Sequence, residues 1–155
     1  GYRKEDKFLY PILDKYNCFL GGMNYKNYTK GFIPYENHNA IRNQSKININ
    51  FHYDYQIEGK GNIENKFPYQ LDRNDCNQSV FNIALSGNFQ LCDHPTASKL
   101  FKDNIVFADE SDWNEKFLYF LNNDQEREEL AYNAMIIAQK EHTWKERMKQ
   151  FIRLI

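Results

Sequence analysis

Long apolar runs and an excess of one charge are both missing from this chain of 155 residues. No segment approaches the ~20 apolar residues that a membrane-spanning helix needs, so we expect no transmembrane segment. Twenty basic residues against 21 acidic ones leave a formal charge of −1. Such a balance gives no general electrostatic attraction to nucleic acid or anionic lipid. Nucleic acid is therefore not an expected partner.

Cysteine and metal-binding motifs are also scarce. Cys18, Cys76 and Cys92 are widely spaced, odd in number and without a CxxC pair. This usage predicts no disulfide framework and favours a reducing compartment. We expect a cytoplasmic protein, either free or peripheral at the inner face of the membrane. The four histidines have neither HxxH nor HExxH spacing, so the sequence predicts no metal site.

Aromatic residues, by contrast, are abundant. The chain has 11 Tyr, 12 Phe and 2 Trp despite a mean hydropathy of −0.81. So many rings indicate a folded core rather than a disordered chain, and the length suits one domain over residues 1–155. Because the sequence begins with Gly1 rather than Met, we expect it to be a piece of a longer protein.

Strand and helix patterns alternate along the chain. Alternating or short apolar runs predict strands at residues 18–20, 46–51, 89–92 and 105–107. Helical spacing predicts helices at residues 4–16, 36–43, 77–85, 95–100, 111–121 and 123–142. Pro11 indicates a kink or a late start in the first helix, and Gly87 lies where the third would end. This alternation predicts an α/β fold, with a parallel sheet flanked by helices and a helical C-terminus.

The last predicted helix starts with a capping box. The Thr143 hydroxyl can accept from the Glu146 backbone N–H, and the Glu146 side chain can reach back. Met148, Phe151 and Ile152 follow at helical spacing, which predicts a buried stripe.

The best candidate ligand site is the start of the helix near Asn77. Open parallel sheets bind ligands at the carboxyl ends of their strands, and the exposed amides of a helix start suit a phosphate group. Asn77, Gln78 and Ser79 could hydrogen-bond such an anion. The alternative is that these residues simply cap the helix.

Catalytic signatures are weak. GxGxxG, GxxxxGK[ST] and GxSxG are absent, so no catalytic residue is identified. His52 and Asp54 would share a strand face and could form an acid/base or hydrogen-bonding pair, although such a pair more often lies on the surface without a function. Aromatic residues in the preceding loop could stack on a base or merely pack; they are Tyr25, Tyr28, Phe32 and Tyr35.

Two segments resemble a known family. FNIALSGNFQL, residues 81–91, resembles the R-x-F-E-x-x-A-x-G helix and G-A-F-x-L strand of the spore-maturation-type glycosyltransferases. EHTWKERM, residues 141–148, resembles their closing E-H-T-x-x-x-R-M segment. The likeness covers most of the chain from about Gly31 and is strongest after Val80.

The resemblance implies the Rossmann-like, C-terminal donor-binding half of a GT-B glycosyltransferase. Such an enzyme transfers a sugar from a nucleotide diphosphate without a bound metal or other cofactor. The acceptor, a glycan, a lipid-linked molecule or a protein, would meet an N-terminal domain outside these residues, and cell-envelope glycan synthesis is the expected setting. We expect no efficient transfer by this chain alone. The alternative is a degenerate, non-catalytic domain that serves binding or assembly.

The resemblance also assigns candidate residues. Asn77 to Val80 would lie near the diphosphate, and Phe32 to Tyr35 near the base. Asn82 stands where the family has a glutamate that accepts from the ribose hydroxyls. Ser79 stands where the family often has an arginine, and Arg73 is a candidate to supply that positive charge.

Overall fold

The computed structural model describes residues 8–20, 31, 33–52 and 76–153. The elements are, in chain order, α1 (Tyr10–Leu13), a 3-10 turn (Tyr35–Asn37), α2 (His38–Asn43), β1 (Asn48–Asn50), α3 (Gln78–Leu85), β2 (Gln90–Cys92), α4 (Pro95–Leu100), β3 (Val106–Phe107), α5 (Trp113–Asn122), α6 (Asp124–Glu141) and α7 (Trp144–Ile152). None of the helices in this part of the chain combines the length and the apolar character needed to cross a bilayer.

The strands form a parallel sheet in the order β1-β2-β3. Ile49 pairs with Leu91 across the first ladder, and Leu91 pairs with Val106 across the second. Helix α3 lies between β1 and β2 in the chain, and α4 lies between β2 and β3. Parallel strands need such crossover connections, because the chain must return to the same end of the sheet before the next strand starts. The predicted α/β, Rossmann-like fold with a helical C-terminus is confirmed.

The central strand β2 separates two apolar clusters. Successive strand residues point to opposite faces, and Leu91 belongs to one cluster while Cys92 belongs to the other. The Leu91 side contains Phe8, which precedes α1, Ile12 of α1 and Trp113 of α5. The Cys92 side contains residues of α3, α4 and α6, and all three residues of β2 are buried. Helices therefore cover both faces of the sheet.

Gly87 ends α3 in the predicted position. Its φ of +70° lies in the left-handed region, which favours glycine. The Gly87 N–H donates to Ala84 O at 2.9 Å, and the Asn88 N–H donates to Ile83 O at 3.3 Å. These two bonds form a Schellman motif, which satisfies the last carbonyls of the helix. A side chain here would also meet Met135 Sδ, 3.3 Å from an ideal Cβ.

Other local predictions hold in part. The first helix starts late, with Pro11 in the first turn of α1. Asp112 and Asn123 occupy the N-cap positions of α5 and α6, but neither side chain makes a capping hydrogen bond. Asp112 instead accepts from the Asp109 N–H at 2.9 Å.

Two predictions from apolar patterns are wrong. Residues 18–20 form no strand, and Phe19 is exposed. A three-residue apolar run does not by itself specify a strand, because a strand also needs a partner to pair with. The terminal helix α7 buries none of its residues, so the stripe of Met148, Phe151 and Ile152 faces outward. Helical spacing indicates an apolar face but not what covers it.

Candidate functional site

The carboxyl ends of β1 and β2 meet the start of α3 at one edge of the sheet. Because the pair is parallel, Asn50 at the end of β1 lies beside Cys92 at the end of β2. Asn77, the N-cap of α3, hydrogen-bonds to Asn50, Phe51 and His52. The helix start near Asn77 is thus placed at the sheet edge where open α/β folds bind ligands.

The side chain of Asn77 is fully engaged. Its Oδ1 accepts from the Val80 N–H at 3.3 Å and from Asn50 Nδ2 at 3.0 Å. Its Nδ2 donates to Asn50 Oδ1 and to Phe51 O, both at 3.1 Å. Asn77 therefore has the capping role that the sequence left as an alternative. It also ties the helix start to the strand that precedes it.

His52 is held between Asp93 and Asn77. The residue is 9% exposed, and its backbone N–H donates to Asp93 Oδ1 at 2.7 Å. The imidazole Nδ1 lies 3.3 Å from the same oxygen, and Nε2 accepts from the Asn77 N–H at 3.1 Å. This bonding pattern assigns the ring proton to Nδ1, which donates to the Asp93 carboxylate. The sequence paired His52 with Asp54, which lies outside the described residues.

Sulfur and a second imidazole complete this polar cluster, most of whose members are half-buried. Cys92 Sγ lies 3.6 Å from His52 Nδ1, and the rings of His52 and His94 are 4.6 Å apart. Ligand-type atoms of His52, Cys76 and His94 all lie within 4.8 Å of one another, and so do those of His52, Cys92 and Asp93. Motif spacing could not indicate this cluster, because its members come from three separate segments.

A cleft of about 310 Å³ lies at the other end of α3. It brings together Asn82 and Tyr35, which the resemblance assigns to the ribose and the base. The complete lining is Tyr35, Asn39, Asn43, Asn82, Leu85 and Ser86. Tyr35 is 71% exposed, so its ring is accessible for stacking. The volume is near the lower limit of small-molecule sites.

Helix α2 supplies the wall of this cleft that the sequence did not indicate. Asn39 Oδ1 accepts from Arg42 Nη1 at 3.2 Å and lies 3.1 Å from the Ser86 hydroxyl. Arg42 is half-buried, and this burial lowers the pKa of its guanidinium from the ordinary value. The group remains a cation, because arginine titrates far above neutral pH. Arg42 thus places a positive charge beside the cleft.

The remaining predicted residues divide into three groups. Gln78 is exposed and Ser79 half-buried in the first turn of α3. Val80 is fully buried, so its side chain packs in the core, and its backbone N–H already donates to Asn77 Oδ1. Phe32, Asp54 and Arg73 lie outside the described residues, as do Tyr25 and Tyr28.

A second depression of about 400 Å³ lies where α5 meets α6. Its lining carries three carboxylates and no basic side chain, so it would repel a diphosphate. The lining residues are Asn122, Asn123, Asp124, Gln125, Glu126 and Glu129. This depression therefore does not compete with the α3 cleft as an anion site.

The parallel sheet, the helix starting at its carboxyl edge and the adjoining cleft define a Rossmann-like α/β domain. A family model described as glycosyl transferase-like matches residues 3–153. The chain therefore belongs to the glycosyl transferase-like family, and glycosyl transfer is the general activity that this membership indicates. No curated protein and no solved structure matches the chain.

Proposed function

We propose that this chain is the nucleotide-sugar-binding half of a two-domain, GT-B-type glycosyltransferase related to the spore-maturation type. Its donor would be a nucleotide-diphosphate sugar. The acceptor, a glycan, a lipid-linked molecule or a protein, would be held by an N-terminal domain. We place the enzyme in the cytoplasm, in the synthesis of a cell-envelope glycan. Catalysis would then need both halves.

One face of α3 carries this proposal. Ser79, Asn82 and Ser86 are spaced at i, i+3 and i+7, so they share a helix face. Asn82 and Ser86 line the cleft together with Tyr35. Neither the Ser79 hydroxyl nor the Asn82 amide has a hydrogen-bond partner among the residues that the structure describes. A polar strip thus runs from the helix start to an open aromatic ring.

A nucleoside diphosphate fits this strip in one direction. The amides of the first turn of α3, those of Gln78 and Ser79, are the donors that a helix start leaves for an anion. The diphosphate would bind there, the ribose near Asn82 and the base against Tyr35. Helix amides and nearby cations would stabilise the negative charge of the leaving diphosphate. Arg73 is the candidate for such a cation, whereas Arg42 lies beside the cleft at the other end of α3.

The experiment is a thermal-unfolding screen with UDP, GDP, ADP and dTDP and their sugar conjugates. A ligand at 100 times its dissociation constant adds about 2.7 kcal/mol to stability, which raises the midpoint by several degrees. We expect one nucleotide to do so. Asn82→Ala should weaken its binding, while the matched variant Asn114→Ala, exposed on α5 outside the cleft lining, should not.

Asn82→Glu is the sharper test because it restores the carboxylate of the family motif. A hydrogen bond to a charged acceptor exceeds a neutral one by about 1 kcal/mol, which is roughly fivefold in affinity. Tighter binding by Asn82→Glu and weaker binding by Asn82→Ala would together locate the ribose at this position. Equal binding by both variants would contradict the proposed ribose site.

A non-catalytic binding or assembly domain is the second candidate, and two observations favour it. Asn77 and His52 already occupy part of the α3 start, since the Asn77 N–H donates to His52 Nε2. The carboxylate of the family motif is also missing, because Asn82 is an amide. No stabilisation by any nucleotide in the screen, with a fold that unfolds cooperatively, would favour this second function.

A further inference from the structure

The largely half-buried cluster at the carboxyl edge of the sheet contains the side chains that transition metals prefer. His52 follows β1, Cys76 precedes the N-cap of α3, and His94 follows β2. One ligand atom from each lies within 4.8 Å of the other two. We propose that His52, Cys76 and His94 bind a divalent cation of the zinc class, with Asp93 as a positioning residue.

The donor set selects the metal. Imidazole nitrogen and thiolate sulfur are the ligands of Zn²⁺, whereas Mg²⁺ and Ca²⁺ require oxygen. Zn–N distances of about 2.0–2.1 Å and Zn–S distances of about 2.3 Å place tetrahedral ligand atoms about 3.3–3.7 Å apart. Atoms within 4.8 Å of one another reach that spacing by side-chain rotation. The three ligands leave a fourth position for water or another oxygen ligand, as in open zinc sites.

Asp93 supplies the outer contact that zinc-binding histidines use. Its Oδ1 lies 3.3 Å from His52 Nδ1 and accepts from the His52 backbone N–H at 2.7 Å. Metal-bound histidines commonly donate their second ring N–H to a carboxylate, which fixes the tautomer and the ring orientation. Here that arrangement leaves the Nε2 lone pair as the donor to the metal.

His52 Nε2 faces the segment that carries Cys76. It lies 3.1 Å from the backbone nitrogen of Asn77, the next residue after Cys76. A single lone pair serves only one partner, so ligation exchanges the Asn77 N–H contact for the metal. Metal binding is therefore coupled to the start of α3.

A second triplet shares His52 but is a weaker candidate. His52, Cys92 and Asp93 also have ligand atoms within 4.8 Å of one another. However, Asp93 Oδ1 already accepts from the backbone N–H of His52 and from its ring Nδ1. Cys92 is fully buried in an apolar cluster, where a thiolate is strongly disfavoured. The Cys76 triplet is the one that the geometry favours.

Cobalt is the probe for this site because Co²⁺ occupies zinc sites and absorbs visibly. The reduced, chelator-stripped full chain is titrated with Co²⁺ and then with Zn²⁺. We expect one equivalent of Co²⁺ to produce a thiolate-to-cobalt charge-transfer band that Zn²⁺ removes. Cys76→Ser should abolish the band. Asp93→Asn should retain it and weaken cobalt affinity by about 10–100-fold, the usual effect of an outer contact.

Matched variants make the assignment specific. Cys18 is a half-buried free thiol outside the cluster, and burial raises its pKa; Cys18→Ser should leave the titration unchanged. His142→Gln is the matched control for His94→Gln, which should weaken cobalt binding at least tenfold. Circular dichroism and thermal unfolding of each metal-free variant establish that it folds. If His52→Gln fails to fold, Cys76→Ser and His94→Gln still decide the question.

Three results would overturn the proposal. One is the absence of a cobalt–thiolate band in the unmodified chain. Another is a band that survives Cys76→Ser in a folded protein. The third is a band that Cys92→Ser removes while Cys76→Ser leaves it, because this would assign the metal to the other triplet. None of these measurements requires a nucleotide sugar, so they are independent of the proposed donor site.

Discussion

Helices α3 and α7 begin alike but differ in what they bury. Asn77 and Thr143 are their N-caps, with φ, ψ of −66°, 157° and −69°, 154°. Each side-chain oxygen accepts at 3.3 Å from the backbone N–H three residues later. Yet α3 buries Val80, Ile83 and Ala84, whereas α7 buries none of its residues. The same local start therefore does not determine how a helix packs.

The difference comes from the surroundings of each helix. Helix α3 packs against α6 and lies over β1 and β2, so its apolar face meets a sheet. Helix α7 follows α6 after a two-residue corner, and its apolar side chains are 51–76% exposed; they are Trp144, Met148, Phe151 and Ile152. The Arg147 guanidinium of α7 lies 4.5 Å from the centre of the Phe81 ring of α3, so the two helices are in contact there. The spacing of apolar residues is a property of one helix, whereas the burial of those residues depends on a second element that packs against it.

Ile83→Ala should have the largest effect in this comparison. Ile83 is 4% exposed on α3, and truncating a buried isoleucine leaves a cavity in addition to the lost burial. We expect a loss of about 3–4 kcal/mol in the free energy of unfolding, measured by urea denaturation. Ile83→Val is the control and should lose about 0.5–1.5 kcal/mol. A loss below that of the valine variant would contradict the packing of α3.

Asn77→Ala should come next, because this cap also belongs to a buried network. The substitution removes the cap, which contributes about 1 kcal/mol. It also leaves the Asn50 amide and the Phe51 carbonyl without their partner, a further loss of about 1–3 kcal/mol. We expect about 2–4 kcal/mol in total by urea denaturation. Asn77→Ser keeps a capping oxygen but loses the hydrogen bonds to Asn50 and Phe51. It should therefore recover only the contribution of the cap, about 1 kcal/mol.

The sequence could predict α3 because its signals are local. Asn77 at the start, the apolar spacing and Gly87 at the end lie within 11 residues. The structure confirms the helix, its N-cap and its end, and it buries Val80 and Ala84 of the apolar spacing but exposes Leu85. The same holds for the strand at Asn48–Asn50 and for the short helix ending at Asn43. Each depends on contacts a few residues apart, which propensity and periodicity describe.

The polar cluster could not be predicted in the same way. Asp93 contacts His52 across 41 residues, and the contact exists because β1 and β2 pair in parallel with Asn50 beside Cys92. The local pattern indicated Asp54 instead. Likewise, no spacing rule connects Cys76 with His94, since only the fold brings the start of α3 beside the end of β2. Sequence reasoning found His52 and Asn77 singly but not the cluster they form.

Thr143→Ala should have a smaller effect than Asn77→Ala, although the two capping bonds are equally long. Thr143 caps a helix whose residues are all at least partly exposed, and its hydroxyl has no network comparable to that of Asn77 in the described part of the chain. We expect about 0.5–1 kcal/mol, measured as a shift in the urea midpoint. Thr143→Ser keeps the oxygen and should be nearly neutral. A loss matching that of Asn77→Ala would show that α7 is more firmly packed than its exposure indicates.

Ile152→Ala should have the smallest effect, and it repeats the Ile83 substitution on the other helix. Ile152 is exposed near the end of α7, so truncation leaves no cavity and removes little burial. Exposed substitutions of this kind stay within about 0.5 kcal/mol, against about 3–4 kcal/mol for Ile83→Ala. Urea denaturation of both variants measures the contrast directly, because the chemical change is identical. A loss above about 2 kcal/mol at Ile152, which is in the range for buried isoleucines, would mean that the apolar face of α7 is covered in solution.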